Sequence, residues 1–182
     1  MLSVTVPSFE YFDEKNERFG VTKETTLCLE HSLIAISRWE SKWNTPFLGK
    51  ANKTTEECMD YVRCMTINSN VDPIIYYGMT NGMFKKIDEY INQPMTAAWF
   101  SDKEQNKKGS REIVTADLIY YWMIAFQIPF DPCEKWHLNR LLTLIRVCNI
   151  KNAPPKKMST EEILQRNRAI NEARRAKMHS KG

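Results

Sequence analysis

The spacing of apolar positions changes along the chain and marks out its elements. Leu2, Val4 and Val6 alternate with polar residues. Phe9-Glu10-Tyr11-Phe12 then precedes the polar run Asp13-Glu14-Lys15-Asn16, and Arg18-Phe19-Gly20-Val21 comes after it. Period-two alternation predicts strands, and two short apolar runs around a polar turn predict a β-hairpin. A lone hairpin is marginal in water, so this element is expected to dock on the helices of the body. From Leu29 the period becomes helical: Leu29, Leu33, Ile36 and Trp43 share one stripe, with Trp39 beside it and Glu30, Arg38 and Lys42 elsewhere. Pro46 is expected to end that helix.

Helix starts are marked by capping residues. Thr54-Thr55-Glu56-Glu57 has the spacing of a capping box and opens a helix carrying Cys58, Tyr61, Val62 and Met65. Asp72-Pro73 predicts a short helix, because aspartate caps well and proline fits the first turn. Thr80 is placed to cap a helix with Phe84, Ile87, Tyr90 and Ile91, ended by Pro94. Residues 101–110, SDKEQNKKGS, read as an exposed loop. Thr115 precedes ADLIYYWMIAFQ, which is apolar on every side and is expected to lie centrally. Asp131-Pro132-Cys133-Glu134 is expected to cap a helix with Trp136, Leu138, Leu141, Leu142, Ile145 and Cys148. The core is expected to include Leu33, Ile36, Trp122 and Leu142. Lys151 to Lys157, with Pro154-Pro155, reads as a stiff linker, and Ser159-Thr160-Glu161-Glu162 opens a last helix over roughly 160–177.

These elements predict a mainly α fold: a compact helical domain with a small N-terminal β-hairpin and a C-terminal basic helix on a proline hinge. The division is 1–26 for the β element, 27–150 for the helical body, 151–158 for the linker and 159–182 for the basic tail. The 182 residues suit one domain with appendages, and a 42% hydrophobic share is enough for a core. Six glycines disfavour a turn-dense all-β fold. No apolar run reaches the ~18–20 residues of a membrane span. The opening MLSVTVPSFEYFDEK has neither the basic start nor the apolar stretch of a secretory signal. Five cysteines, an odd number, then suggest a reducing cytosol and free, mostly buried thiols.

Charge is divided unevenly. Of the 26 basic and 22 acidic residues, nine and three lie between Lys151 and Gly182, leaving seventeen and nineteen in the body. The tail therefore carries +6 and the body −2. The tail arginines Arg166, Arg168, Arg174 and Arg175 are the candidate partner-binding residues. They suit steering toward an acidic protein segment, release of counterions from nucleic-acid phosphates, or simply a solvated terminus.

Enzyme chemistry finds no support in the motifs. G-x-S-x-G, P-loop and G-x-G-x-x-G patterns are missing, and the three histidines are far apart. His31 and His137 read as hydrogen-bonded, partly buried side chains. Cys133 and His137 would share a face of one helix, but zinc needs about four ligands, so no metal is expected. No catalytic residue and no cofactor are expected. Trp39, Trp43 and Tyr120-Tyr121-Trp122 have the apolar company of core residues, although they are also able to stack on bases.

Four segments carry a resemblance: LEHSLIAISRWESKWNTPFL (29–48), YVRCMTINSNVDP (61–73), IYYWMIAFQIPFDPCEKWHLNRLLTLIRVCNIKNAPPKKMS (119–159) and EEILQRNRAINEARR (161–175). They resemble tail assembly chaperones of long-tailed, non-contractile bacteriophages, most specifically over WHLNRLLTLIRVC. The resemblance implies a non-enzymatic protein of the host cell cytoplasm, generally absent from the finished virion. It would bind the tape measure protein, keep it soluble and recruit tail tube protein, and a frameshifted longer form sharing its N-terminal domain is common in the family. Nine methionines suit an adaptable binding surface, and equally an ordinary core. The alternatives are a phage virion structural protein of the tail or head–tail junction, and a nucleic-acid-binding protein using the basic tail.

Overall fold

The N-terminal strands form a ribbon of two ladders. In the computed structural model, which describes residues 1–14, 17–98, 113–153 and 160–178, β1 (Leu2–Val6) pairs antiparallel with β4 (Thr25–Leu29), and β2 (Glu10–Asp13) with β3 (Arg18–Val21). The inner ladder is the hairpin read from the sequence, yet it is only half of the β structure. Between the ladders, Thr22 N–H donates to the Phe9 carbonyl at 2.9 Å, and Phe9 N–H to the Thr22 hydroxyl at 2.9 Å. The alternation of β1 sorts its side chains by burial: Val4 and Val6 are buried with Leu27 and Leu29 of β4. Leu29 therefore belongs to a strand and not to the first helix. Its apolar side chain fits either period, and pairing with Leu2 decides the matter.

Beyond α2 (Thr55–Met65), the chain adds to the β4 edge. Glu30 N–H donates to the Met65 carbonyl and Ile67 N–H to the Cys28 carbonyl, both at 2.9 Å. The Asn68 side-chain oxygen accepts from Cys28 N–H at 2.6 Å, and its amide donates to the Thr26 carbonyl at 3.2 Å. The middle of the ribbon, at Phe9 between the two ladders, is seated on the 3-10 helix Pro73–Gly78. A β-carbon on Gly78 would lie 2.2 Å from the Phe9 ring, so glycine is needed there for the ring to approach.

The first helix, α1 (Leu33–Trp43), is capped by Ser32 and stops where Asn44 adopts the left-handed region, φ 49 and ψ 36. Asparagine tolerates that conformation, so the helix stops ahead of Pro46, the breaker expected from the sequence. Leu33, Ile36 and Trp39 are buried. Trp39 donates its indole N–H to the Glu57 carbonyl at 3.0 Å, and Trp43 donates to buried Asp60 at 2.9 Å. Lys42 also pairs with Asp60, so α1 and α2 are joined by polar as well as apolar contacts. The Thr54 capping box of α2 forms in full. Asp72 caps the 3-10 helix through Ile74 N–H, whereas Thr80 precedes α3 (Asn81–Ile91) without a side-chain capping bond.

The helix α4 (Ala116–Ala125), capped by Thr115, departs from its sequence reading. Ala116, Ile119 and Met123 form its buried stripe, while Tyr121 is 62% and Ile124 64% exposed. It is a surface helix, and Trp122 is half-buried at the core's edge. Apolar composition on all sides does not compel burial on all sides, since folded surfaces keep much apolar area. Glu40 fixes its start, accepting from Ala116 N–H at 2.8 Å and from Phe47 N–H at 2.7 Å.

The short α5 (Phe130–Cys133) contains non-helical Asp131 before a cis bond to Pro132. Asp131 does not cap the next helix but pairs with Lys135. That helix, α6 (Leu138–Asn152), begins only after Trp136 and His137. Its buried residues are Leu138, Leu141 and Ile145, and Leu142 is half-buried, correcting its assignment to the core. Of the five free cysteines, Cys133 alone is fully buried and the others are half-buried. Contacts divide the chain into units 1–149 and 150–182, the second containing α7 (Thr160–Met178). The 101–110 loop, the prolines of the linker and Ser159 of the last capping motif lie outside the described residues. Among the described residues, no helix is long and apolar enough to cross a membrane.

The difference between Trp39 and Trp122 is measurable. Trp39→Ala is predicted to cost about 3–5 kcal/mol in urea unfolding, the range for emptying a buried aromatic site, and Trp122→Ala less than half of that. Equal losses would return Trp122 to the core.

Candidate functional site

Two buried histidines far apart in sequence meet where β4 ends and α6 begins. Ser32 and His137 form an antiparallel bridge, and Leu138 N–H donates to the His31 carbonyl at 2.7 Å. The two imidazoles lie with ring centroids 5.1 Å apart, tilted by 65°. Nδ1 of His31 is 2.5 Å from the Tyr61 hydroxyl on α2. On His137, Nε2 donates to the Tyr90 carbonyl at 3.1 Å, while Nδ1 accepts from Asn139 N–H at 3.3 Å. One donating and one accepting nitrogen define a neutral ring, because a protonated one offers two donors. The Tyr90 ring meets His137 edge-on at 5.0 Å, and its hydroxyl donates to Glu30 at 2.6 Å.

This environment opposes charge. Burial, and then the neighbouring His137, hold the His31 pKa down to about 3. Burial also lowers that of His137, although its bond to the Tyr90 carbonyl and the nearby Glu30 act in the opposite direction. Burial raises the Tyr61 pKa well above the ordinary phenol value. The cluster thus holds neutral rings and neutral phenols, with the bonds of both His137 nitrogens already made inside the fold. Its chemistry is that of a structural joint between β4, α1, α2, α3 and α6.

The other sequence candidates separate. Cys133 ends α5, but residues 134–137 are not part of a continuous helix, so Cys133 and His137 do not share a helical face. Among the described residues, no group of three or more His, Cys, Asp or Glu side chains is placed to hold a metal ion. His179 lies outside the described residues. Arg166, Arg168, Arg174 and Arg175 are all exposed along α7, with exposed Glu161 and Glu172 on the same helix.

A different surface stands out on the ribbon. Tyr11 and Gly20 are register partners on one face of the β2–β3 ladder. The opposite face carries Phe12, Phe19 and Val21, which are 52%, 78% and 69% exposed, together with exposed Glu10, the register partner of Val21. Phe12 and Phe19 are directly opposed, with ring centroids 5.2 Å apart. Such a cross-strand aromatic pair stabilises a ladder by about 0.2–1 kcal/mol. The sequence showed the hairpin but not which face of it would stay uncovered.

No protein-family model, curated protein or solved structure matches this chain. Its function is therefore read from the residues and their arrangement.

The histidine joint makes stability depend on pH. Both folded-state pKa values lie below the ordinary histidine value of about 6.5, so the unfolded chain binds more protons in the interval between them. Stability is therefore predicted to fall as pH drops from about 6.5 toward 3. The slope from His31 approaches about 1.4 kcal/mol per pH unit, and His137 adds in the same direction. Urea midpoints at about pH 7.5, 6 and 5, on both sides of the ordinary histidine value of about 6.5, check this. Unchanged midpoints would mean that the rings are not held neutral.

Proposed function

We propose that this chain is a non-enzymatic binding protein, a tail assembly chaperone of a long-tailed, non-contractile bacteriophage. It would act in the host cell cytoplasm, outside the finished virion. Its client is the tape measure protein, which it keeps soluble while tail tube protein assembles. The resemblance of segments 29–48, 61–73, 119–159 and 161–175 supports the family. The observation that carries the binding role is the exposed Phe12–Phe19–Val21 face of the ribbon.

A long helical client exposes apolar stripes that aggregate unless covered, and covering them needs apolar surface already held in place. The Phe12–Phe19 pair presents two rings on a backbone ordered by its own ladder. Aromatic side chains contribute large contact area for few rotatable bonds, which suits an interface centre. Tyr121 and Ile124 on α4 add exposed apolar area for the same kind of contact. The four α7 arginines supply long-range attraction toward acidic client segments, an effect seen mainly in association rate. A second reading, nucleic-acid binding, uses these same arginines and predicts a steep loss of affinity with salt.

Co-expression with the tape measure protein tests the proposal, with soluble client as the readout. Phe12→Ser with Phe19→Ser is predicted to leave the fold within about 1 kcal/mol of its stability and to abolish client solubilisation. Changing Arg166, Arg168, Arg174 and Arg175 to Gln is predicted to slow client capture and flatten its salt dependence. Client that stays insoluble with the unaltered chain would overturn the chaperone reading. Tight DNA or RNA binding at physiological salt, lost in the four-arginine variant, would favour the second reading.

A further inference from the structure

A cavity of ≈ 500 Å³ lies between α2, α3 and the 47–53 segment. That volume falls within the range of small-molecule sites, about 300–1,000 Å³. Phe47, Val62, Phe84 and Ile87 make its wall largely apolar. Three chemically active groups line it as well: Lys53, Cys58 and Asp88.

Lys53 is the group that gives the cavity a preference. Its side chain is half-buried, with Nζ 4.1 Å from the centroid of the Phe47 ring. The ammonium donates one hydrogen bond, to the Lys50 carbonyl at 2.9 Å. An ammonium has three donors, so two remain for another acceptor. Among the described residues no carboxylate lies within ion-pair distance of it. Glu57, whose charge acts on Lys53, is engaged by Lys50 at 2.5 Å and by Thr54 N–H at 2.8 Å. Burial holds the Lys53 pKa below the ordinary lysine value, and the nearby Cys58 and Glu57 only partly offset it. Asp88 is exposed, so water screens its charge.

We propose that this cavity binds a small amphiphilic carboxylate, its aliphatic chain against Phe47, Val62, Phe84 and Ile87 and its anionic head on Nζ of Lys53. The site does not depend on the chaperone reading, and it lies apart from the Phe12–Phe19 face in sequence and in chemistry. A carboxylate there completes the hydrogen bonding of Lys53 while the chain leaves water. An amine head would meet the Lys53 charge, and an alcohol would forgo the ion pair.

Calorimetric titration of the full chain with decanoate, decanol and decylamine, all below their aggregation concentrations, tests the order of preference. Decanoate is expected to bind tightest. It is also expected to slow iodoacetamide modification of Cys58, which lines the cavity and is resolved from the other four cysteines by peptide mass spectrometry. Lys53→Met should weaken decanoate by about tenfold or more, the scale of a lost charge-assisted bond, and leave decanol within about twofold. Lys53→Gln is the second variant, and circular dichroism establishes that each is folded. Absence of decanoate binding by the unaltered chain, tighter binding of decylamine or decanol, or undiminished decanoate binding by a folded Lys53 variant would each overturn the proposal.

Discussion

The pair of neutral imidazoles at the meeting point of β4, α1 and α6 is the constraint from which the rest of unit 1–149 is organised. The His31 carbonyl accepts from Leu138 N–H at 2.7 Å, so the backbone joins segments more than a hundred residues apart in sequence. The rings then reach outward, His31 to Tyr61 on α2 and His137 to the last turn of α3 through the Tyr90 carbonyl. A histidine suits this position because one neutral ring both donates and accepts, which no aliphatic side chain achieves. Burying that ring is tolerable while it stays neutral, and His137 shows how its two nitrogens are satisfied without a proton to spare.

Surrounding contacts depend on the joint for their placement. With α1 fixed at its N-terminus, Trp39 packs edge-on against Phe47 at 5.2 Å and Glu40 accepts from both Phe47 and Ala116. With β4 fixed at its end, residues Thr66 to Asn68 close its free edge. The ribbon is therefore anchored at Leu29 and again where Phe9 meets Gly78, leaving the β2–β3 ladder to present its apolar face. The proposed client surface and the histidine joint lie at the two ends of one β element.

Much of the helical layout was legible because local chemistry decides it. Thr54, Thr115 and Asp72 cap through their own side chains, and those bonds need no distant partner. Features decided by a distant partner escaped the sequence. Leu29 has a helical neighbour pattern but pairs with Leu2 across the ribbon. Trp122 and Leu142 sit in apolar runs, yet their neighbours Ile119, Met123 and Leu141 occupy the interior and leave them at its edge. Asp131 looked like a cap and is instead drawn to Lys135. His31 and His137 each read as a hydrogen-bonded, partly buried side chain, but their meeting was not legible, since the bond between His31 and Leu138 joins segments far apart in the sequence. The arginines of α7 were legible as a basic cluster, because charge along one helix is a local property.

If the joint organises unit 1–149, it is the last part of that unit to open, and the β2–β3 ladder opens before it. Native-state hydrogen exchange measured residue by residue tests this most directly. The Leu138 and Glu30 amides, which close the joint and the β4 edge, are predicted to exchange only through global unfolding, with the free energy found in urea. The amides of the β2–β3 ladder are predicted to exchange through smaller local openings. If Leu138 exchanged as readily as the β2–β3 amides, well below the global free energy, the joint would not be the constraint on which this fold depends.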